Sequence, residues 1–268
     1  MLLALVVLLL CFFLFGAEAY AADIRVLLSS AANGVSLRII EGEYDIYDLS
    51  GGSVDTVEPG DVISVSHYGG ELELLINGMS DASSSRGFVI EPYDVEDGVF
   101  SYGSGQYRGA LRLEPVSGNV MAINVVDIEK YLYSVVGKEI GYGVGKEALK
   151  AQAVASRSYA LASISSVARY DVTATTSSQV YGGYLAELVN GAQAVMDAVD
   201  STAGEVLYYR SGSKGEIIVP AFFHSNAGGH TEDIDKAWSG SAAIPLKGVP
   251  SPEDSYALNS APNAYQWE

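Results

Sequence analysis

This sequence predicts an α+β protein: a β-rich N-terminal half followed by a mixed α/β region built on a long Ala-rich helix. Residues 23–118 alternate apolar and polar side chains over short runs and contain no long helical period. Near residue 119 the period changes, and Val125, Ile128, Leu132 and Val135 fall at helical spacing. Lys146 to Val167 then reads KEALKAQAVASRSYALASISSV, a run dense in the strongest helix former.

In chain order, Ile24–Leu28 is a strand candidate. Val62–Ser66 and Glu71–Ile76 flank Gly69-Gly70, the pattern of a hairpin. Ser50-Gly51-Gly52-Ser53 and Glu58-Pro59-Gly60-Asp61 mark turns, and Leu111 and Leu113 alternate at the end of the β-rich part. Asp127 is placed to cap a helix over Val125–Val136. A Gly-rich loop, Gly137 to Gly143, separates it from the Ala-rich helix, whose Leu149, Val154, Leu161 and Ile164 form its apolar side. A third helix is expected over Leu185–Thr202, and strands over Glu205–Tyr209 and Glu216–Ser225. Ala237–Glu268, with four prolines at 245, 250, 252 and 262, reads as loop.

The chain has 268 residues, 49% hydrophobic and 18% charged, enough for one large core or two modest ones. A net charge of −18 repels nucleic acid and anionic lipid headgroups, so neither is an expected partner. Leu2–Phe15 is an unbroken apolar run followed by Ala-x-Ala sites at 17–19 and 19–21. Residues 1–21 therefore read as a secretory signal peptide or a membrane anchor, and the protein as exported, extracytoplasmic and attached to the membrane only through this segment. Cys11 is the only cysteine, so a chain cleaved after the leader has no disulfide and no thiol nucleophile. The expected division is leader 1–21, β-rich region 22–118, and functional region 119–268.

Four segments of that last region carry candidate chemistry. Glu139 sits among Gly137, Gly141 and Gly143, which let a ligand approach the backbone closely. There it is either a general acid or a solvated loop carboxylate. On the Ala-rich helix Gln152, Ser156 and Tyr159 share one side, with Arg157 next to them; a site wall and a structural role are equally open for this stripe. Gln179 and Tyr181 alternate on an extended stretch, so ring and amide could contact a sugar together. His224, Ser225, Gly228 and Gly229 lie in FFHSNAGGHTE, which has neither a G-x-S-x-G elbow nor the i, i+4 histidines of a metalloprotease. They read as a strand ending in a Gly-Gly turn, or as donors and acceptors for sugar hydroxyls.

Taken together these segments resemble the SpoIID/LytB family (sporulation stage II protein D-like). The resemblance rests on Tyr107-Arg108-Gly109, Asn124-Val125-Val126, Glu129-Lys130-Tyr131-Leu132, Glu139, and Glu147 to Ala155 with Arg157 and Tyr159. It continues through Ser178-Gln179-Val180-Tyr181-Gly182-Gly183, Phe223-His224-Ser225 with Gly228-Gly229 and Thr231-Glu232, and Leu246 to Val249. It implies a peptidoglycan lytic transglycosylase with Glu139 as the catalytic residue, at work in engulfment or wall remodelling. Gln152, Arg157, Tyr159, Gln179, Tyr181, His224, Ser225, Gly228 and Gly229 would then line the substrate. Glycan strands, and other engulfment or wall-hydrolase proteins, are the implied partners. A non-enzymatic glycan-binding module, an amidase enhancer of the LytB kind and a structural envelope protein are the alternatives. Gly137 and Ile140 stand where the family often has proline and methionine. Some members bind zinc through Cys and His before the Gln-Val-Tyr motif. Thr173–Ser178 has neither residue, so no metal and no cofactor is expected. Members also usually continue beyond the Trp267 region, so the C-terminus is read as truncated.

Overall fold

The computed structural model describes residues 22–94, 98–212, 215–237 and 246–256. The leader residues 1–21 lie outside the described residues, as does most of Ala237–Glu268. Among the described residues the chain up to Asp127 forms twelve strands: β1 (Asp23–Ala32), β2 (Gly34–Glu41), β3 (Tyr44–Asp48), β4 (Ser53–Val57), β5 (Val62–Tyr68), β6 (Glu71–Ile76), β7 (Met79–Ser84), β8 (Phe88–Pro92), β9 (Val99–Tyr102), β10 (Gly105–Arg108), β11 (Ala110–Val116) and β12 (Asn119–Asp127). Then come α1 (Ile128–Ile140), α2 (Lys146–Ser163), the short β13 (Val172–Thr173), a 3-10 turn at Tyr184–Leu188, and α3 (Ala192–Asp200). A hairpin of β14 (Tyr208–Ser211) and β15 (Gly215–Ile218), the single turn α4 (Ile234–Ala237) and a 3-10 turn at Pro252–Tyr256 follow. The expected α+β class is the observed one.

Two sheets face each other. One runs β13-β1-β12-β11-β8-β3-β4, the other β10-β9-β2-β5-β6-β7. Every other residue of their strands enters the space between them, including Ile63 and Val65, Leu72 and Leu74, Phe88 and Ile90, and Leu111 and Leu113. The expected hairpin is present, with Tyr68 opposite Glu71. The β6–β7 and β11–β12 hairpins turn on Asn77-Gly78 and Ser117-Gly118, all four residues having positive φ.

A second core lies where the helices pack on the other end of the first sheet. Ile24, Val26 and Val126 meet Tyr131, Leu132 and Val135 of α1, Leu149 and Ala153 of α2, and Val195 and Val199 of α3. Leu28 and Tyr107 touch both cores. The division read at residue 118 falls in the β11–β12 turn, and β1 pairs with both β12 and β13, so one sheet spans both regions.

Asp127 caps α1 as expected, accepting from the N–H groups of Glu129 and Lys130. The Gly-rich loop is shorter than expected. Gly137 and Glu139 are helical, and the helix ends at Gly141 (φ 92°). Gly137 is required inside the helix because a Cβ there would lie 2.3 Å from the Tyr142 ring. The apolar side read for α2 is also corrected: Leu149 is buried, Val154 and Leu161 only partly, and Ile164 is exposed. The helix stops at Ser163 rather than Val167, with Ile164 already extended. The Asp171 carboxylate takes the Ser165 N–H, and the Arg25 guanidinium binds the Ser165 and Ala168 carbonyls, drawing the chain out of the helix. The helix expected over 185–202 is broken at Gly191 (φ 90°). The final strand ends at Ile218, ahead of Pro220, so His224 and Ser225 are in irregular chain.

The Arg25–Asp171 pair (2.6 Å) fastens β1 to the segment after α2, and the Asp171 side chain has no exposed surface. Burial pushes its carboxyl up, but hydrogen bonds from the Arg25 side chain and from the Ser165 and Arg25 N–H groups outweigh this and hold it below 3.8. A lowered folded-state value stabilises the fold above the ordinary aspartate range, and that stabilisation is lost as pH falls through the folded value. We expect Asp171→Asn to cost about 2 kcal/mol at pH 7. The gap to wild type should narrow as pH falls below the ordinary aspartate value of about 3.9 and close only below the lowered folded-state value, as followed by urea denaturation. A gap independent of pH would refute the assignment.

Candidate functional site

The elements converge on a cavity of about 310 Å³ lined by Glu139, Tyr159, Thr176, Ser177, Ser178, Phe222 and Phe223. Glu139 reaches it from the last turn of α1 and Tyr159 from α2. Tyr159 and Phe222 meet edge to face, with centroids 5.7 Å apart. One wall is thus aromatic, and the segment before Gln179 supplies a wall of hydroxyls. A larger hollow of about 640 Å³ on the β8, β11 and β12 side contains none of the predicted site residues.

The Glu139 carboxylate is half-buried. Its Oε1 accepts the Val180 N–H at 2.7 Å, and among the described residues no other hydrogen bond to it is found. Among the described residues it is the only carboxylate that lines the cavity. The Ser178–Gly183 segment is fixed around it by inward-facing polar groups. Tyr131 O–H donates to Gln179 Oε1 (3.2 Å), and Gln179 Nε2 donates to the Ser156 carbonyl (3.4 Å). Tyr181 O–H donates to Asn124 Oδ1 (2.9 Å), and the Gly182 N–H donates to Ser134 Oγ (2.7 Å). Gly183 closes the segment in a left-handed conformation (φ 63°), where a Cβ would collide with the Gln106 carbonyl. The Tyr181 ring packs between Tyr107 and Tyr131, at 5.9 and 5.0 Å.

Of the residues singled out in the sequence, Glu139 and Tyr159 share the cavity. Gln179 and Tyr181 flank it but point into the core, 0% and 6% exposed; the alternation that suggested a shared outward side suits a buried strand-like segment equally well. Arg157 is 1% exposed and pairs with Glu129, not Glu139: Nε donates to Oε1 at 2.8 Å and a terminal nitrogen to Oε2 at 2.6 Å. It also donates to the carbonyls of Glu205 and Val199, so it joins α1, α2 and the end of α3. Gln152 donates to Ser156 Oγ one turn on (3.0 Å). His224 and Ser225 are exposed, immediately after the cavity's two phenylalanines. Gly228 and Gly229 form the expected turn (φ 67° and 99°). Asp254 holds that turn through the N–H groups of Ala227 and Gly229. Neither glycine lines the cavity.

Thr176, Ser177, Ser178, Phe222 and Phe223 went unread as lining residues. Their signal was the paired aromatics and the paired Thr-Thr-Ser-Ser hydroxyls. Among the described residues no group of three or more His, Cys, Asp or Glu side chains is arranged to hold a metal. None of the described helices is long and apolar enough to cross a membrane.

Residues 116–209 match the family model for stage II sporulation protein, SpoIID. Over this segment the chain is similar to the SpoIID family. The segment carries Glu139, Tyr159 and the 176–178 hydroxyls, whereas Phe222 and Phe223 come from beyond it. The chain is 35% identical over 159 residues to an uncharacterized protein of Brachyspira hyodysenteriae, covering 58% of this chain and 40% of that one. It is 35% identical over 129 residues to the amidase enhancer of Bacillus subtilis, covering 47% of this chain and 16% of the enhancer. Stage II sporulation protein D of Bacillus subtilis is 30% identical over 163 residues, with 54% of this chain and 46% of that protein covered. The chain thus spans less than half the length of each of these three relatives.

Proposed function

We propose that the protein is a lytic transglycosylase of peptidoglycan glycan strands, exported to the envelope and acting in sporulation or wall remodelling. The observation that carries this reading is that, among the described residues, a single carboxylate, Glu139, is set in a cavity with an aromatic wall and a hydroxyl wall. Tyr159 and Phe222 suit the apolar C–H surface of a pyranose, and Thr176, Ser177 and Ser178 suit its hydroxyls.

Water-consuming glycosidases generally need two carboxylates, one for the leaving oxygen and one for the nucleophile. One suffices when the nucleophile belongs to the substrate. Protonated Glu139 gives its proton to the oxygen linking N-acetylmuramic acid to N-acetylglucosamine, and the bond from the muramic C1 to that oxygen breaks. The C6 hydroxyl of the same muramic residue attacks C1 and returns its proton to Glu139. The products are a strand ending in a 1,6-anhydro sugar and a partner strand whose N-acetylglucosamine has a free C4 hydroxyl, with no water consumed and the carboxyl restored. The Val180 N–H steadies the carboxylate after the first transfer.

The match to an amidase enhancer supports a second reading, in which the cavity binds glycan and the protein stimulates a separate amidase. Incubation of the protein with purified glycan strands, followed by mass spectrometry, separates the two. We expect 1,6-anhydro ends to accumulate. Stimulated amidase activity without anhydro ends would replace the first reading with the second.

A further inference from the structure

We infer that Tyr131 and Gln179 are positioning residues that set the Glu139 carboxylate by fixing the Val180 N–H in place. The inference rests on the reading of Glu139 as acid and base and extends it to groups that line no part of the cavity.

The Glu139 side chain has several rotatable bonds, and the described residues supply one hydrogen bond to hold its carboxylate, from a backbone N–H. The direction of that N–H is set by the peptide between Gln179 and Val180. Gln179 is fully buried, and its side-chain oxygen accepts from a fully buried phenol, Tyr131. Its amide nitrogen donates to a carbonyl of α2, at Ser156. The amide is thus suspended between α1 and α2, and the adjacent peptide cannot rotate without breaking a buried contact. Burial, with the neighbouring Tyr159 and Glu139, pushes the Tyr131 phenol well above its ordinary value, so it remains an O–H donor at any working pH. Tyr131 and Glu139 lie two turns apart on α1, so one rigid helix holds both the carboxylate and the group that aims its donor.

A buried amide that only filled space would be replaced by an apolar side chain without effect on Val180. Tyr131→Phe removes one oxygen and leaves the ring beside Tyr181, so the packing is kept. It leaves Gln179 Oε1 without its donor in the core, and the peptide is then free to tilt.

The test is amide hydrogen exchange at Val180, read by NMR, together with kcat and KM for anhydro-end formation. Glu139→Ala should accelerate Val180 exchange, which checks the bond itself. Tyr131→Phe should accelerate Val180 exchange by about tenfold or more while exchange within α1 is unchanged. It should lower kcat by on the order of ten- to a hundredfold with KM held, as expected for a misaimed group. Gln179→Met is the parallel variant should Tyr131→Phe not fold. Unchanged Val180 exchange in both variants overturns the inference, as does faster exchange with wild-type kcat. Faster exchange in a protein that forms no anhydro ends, even as wild type, supports the positioning and removes the enzymatic reading of Glu139 instead.

Discussion

Arg157→Met is expected to destabilise the protein by about 3–5 kcal/mol, the range for leaving one half of a buried ion pair without its partner. Arg157 is 1% exposed and makes four hydrogen bonds, two to the Glu129 carboxylate and two to carbonyls at the end of α3 and beyond it. Met fills much of the volume but leaves Glu129 mostly withdrawn from water and the Glu205 carbonyl without its Arg157 donor, while the Val199 carbonyl keeps the Thr202 N–H. A domain stable by ~5–15 kcal/mol loses a large share of that, and the melting temperature should drop by about 10 °C. The loss should be relieved when Glu129 is also made apolar, because the cost lies in the stranded charge rather than in the missing attraction. Thermal and urea denaturation of Arg157→Met and of Arg157→Met with Glu129→Met measure this. A single variant as stable as wild type would mean that Arg157 is not a core residue, and would return it to the ligand-binding residues implied by the family resemblance.

That contrast between Arg157 and Glu139 marks where the sequence could be read and where it could not. Local patterns were legible. The Val62–Tyr68/Glu71–Ile76 hairpin follows from alternation around Gly69-Gly70, and the start of α1 from Asp127 placed before a helical period. The switch from strands to helices was legible but read too early: residues 119–127, Val125 among them, form β12 between β1 and β11, and the helix begins only at Ile128. Groups whose meaning depends on a distant partner were not legible. Glu129 and Arg157 are 28 residues apart, and nothing local to Arg157 says that its charge is met inside the protein. Gln179 and Tyr181 carry the polar atoms expected of a sugar site, yet Tyr131 and Asn124, 48 and 57 residues away, take those atoms inward. Helix ends failed for the same reason. Gly137 reads as a breaker until Tyr142 is seen to need the missing Cβ, and Ser163 ends α2 because Asp171 and Arg25 capture the chain beyond it. Among the cavity residues that went unread, Phe222 and Phe223 sit in irregular chain, where no periodicity marks a side that faces a ligand.

Glu139→Gln should reduce anhydro-end formation by about a thousandfold, within the 10²–10⁴ range of a lost general acid and base, while leaving the fold and glycan binding in place. The substitution is nearly isosteric. The new amide oxygen can still accept the Val180 N–H that Glu139 Oε1 accepts now, so the Ser178–Gly183 segment loses no anchor. What disappears is the proton, which an amide can neither give to the glycosidic oxygen nor take back from the C6 hydroxyl. The expected signature is therefore a fall in kcat with KM little changed, the pattern of an interaction made only in the transition state. Melting temperature, and binding of glycan strands measured without turnover, should match wild type. Turnover above a tenth of wild type would show that another group moves the proton, and among the described residues no other carboxylate lines the cavity to take its place. If wild type itself forms no anhydro ends and both proteins stimulate an amidase equally, Glu139 is a structural acceptor for Val180, and the aromatic and hydroxyl walls serve binding alone.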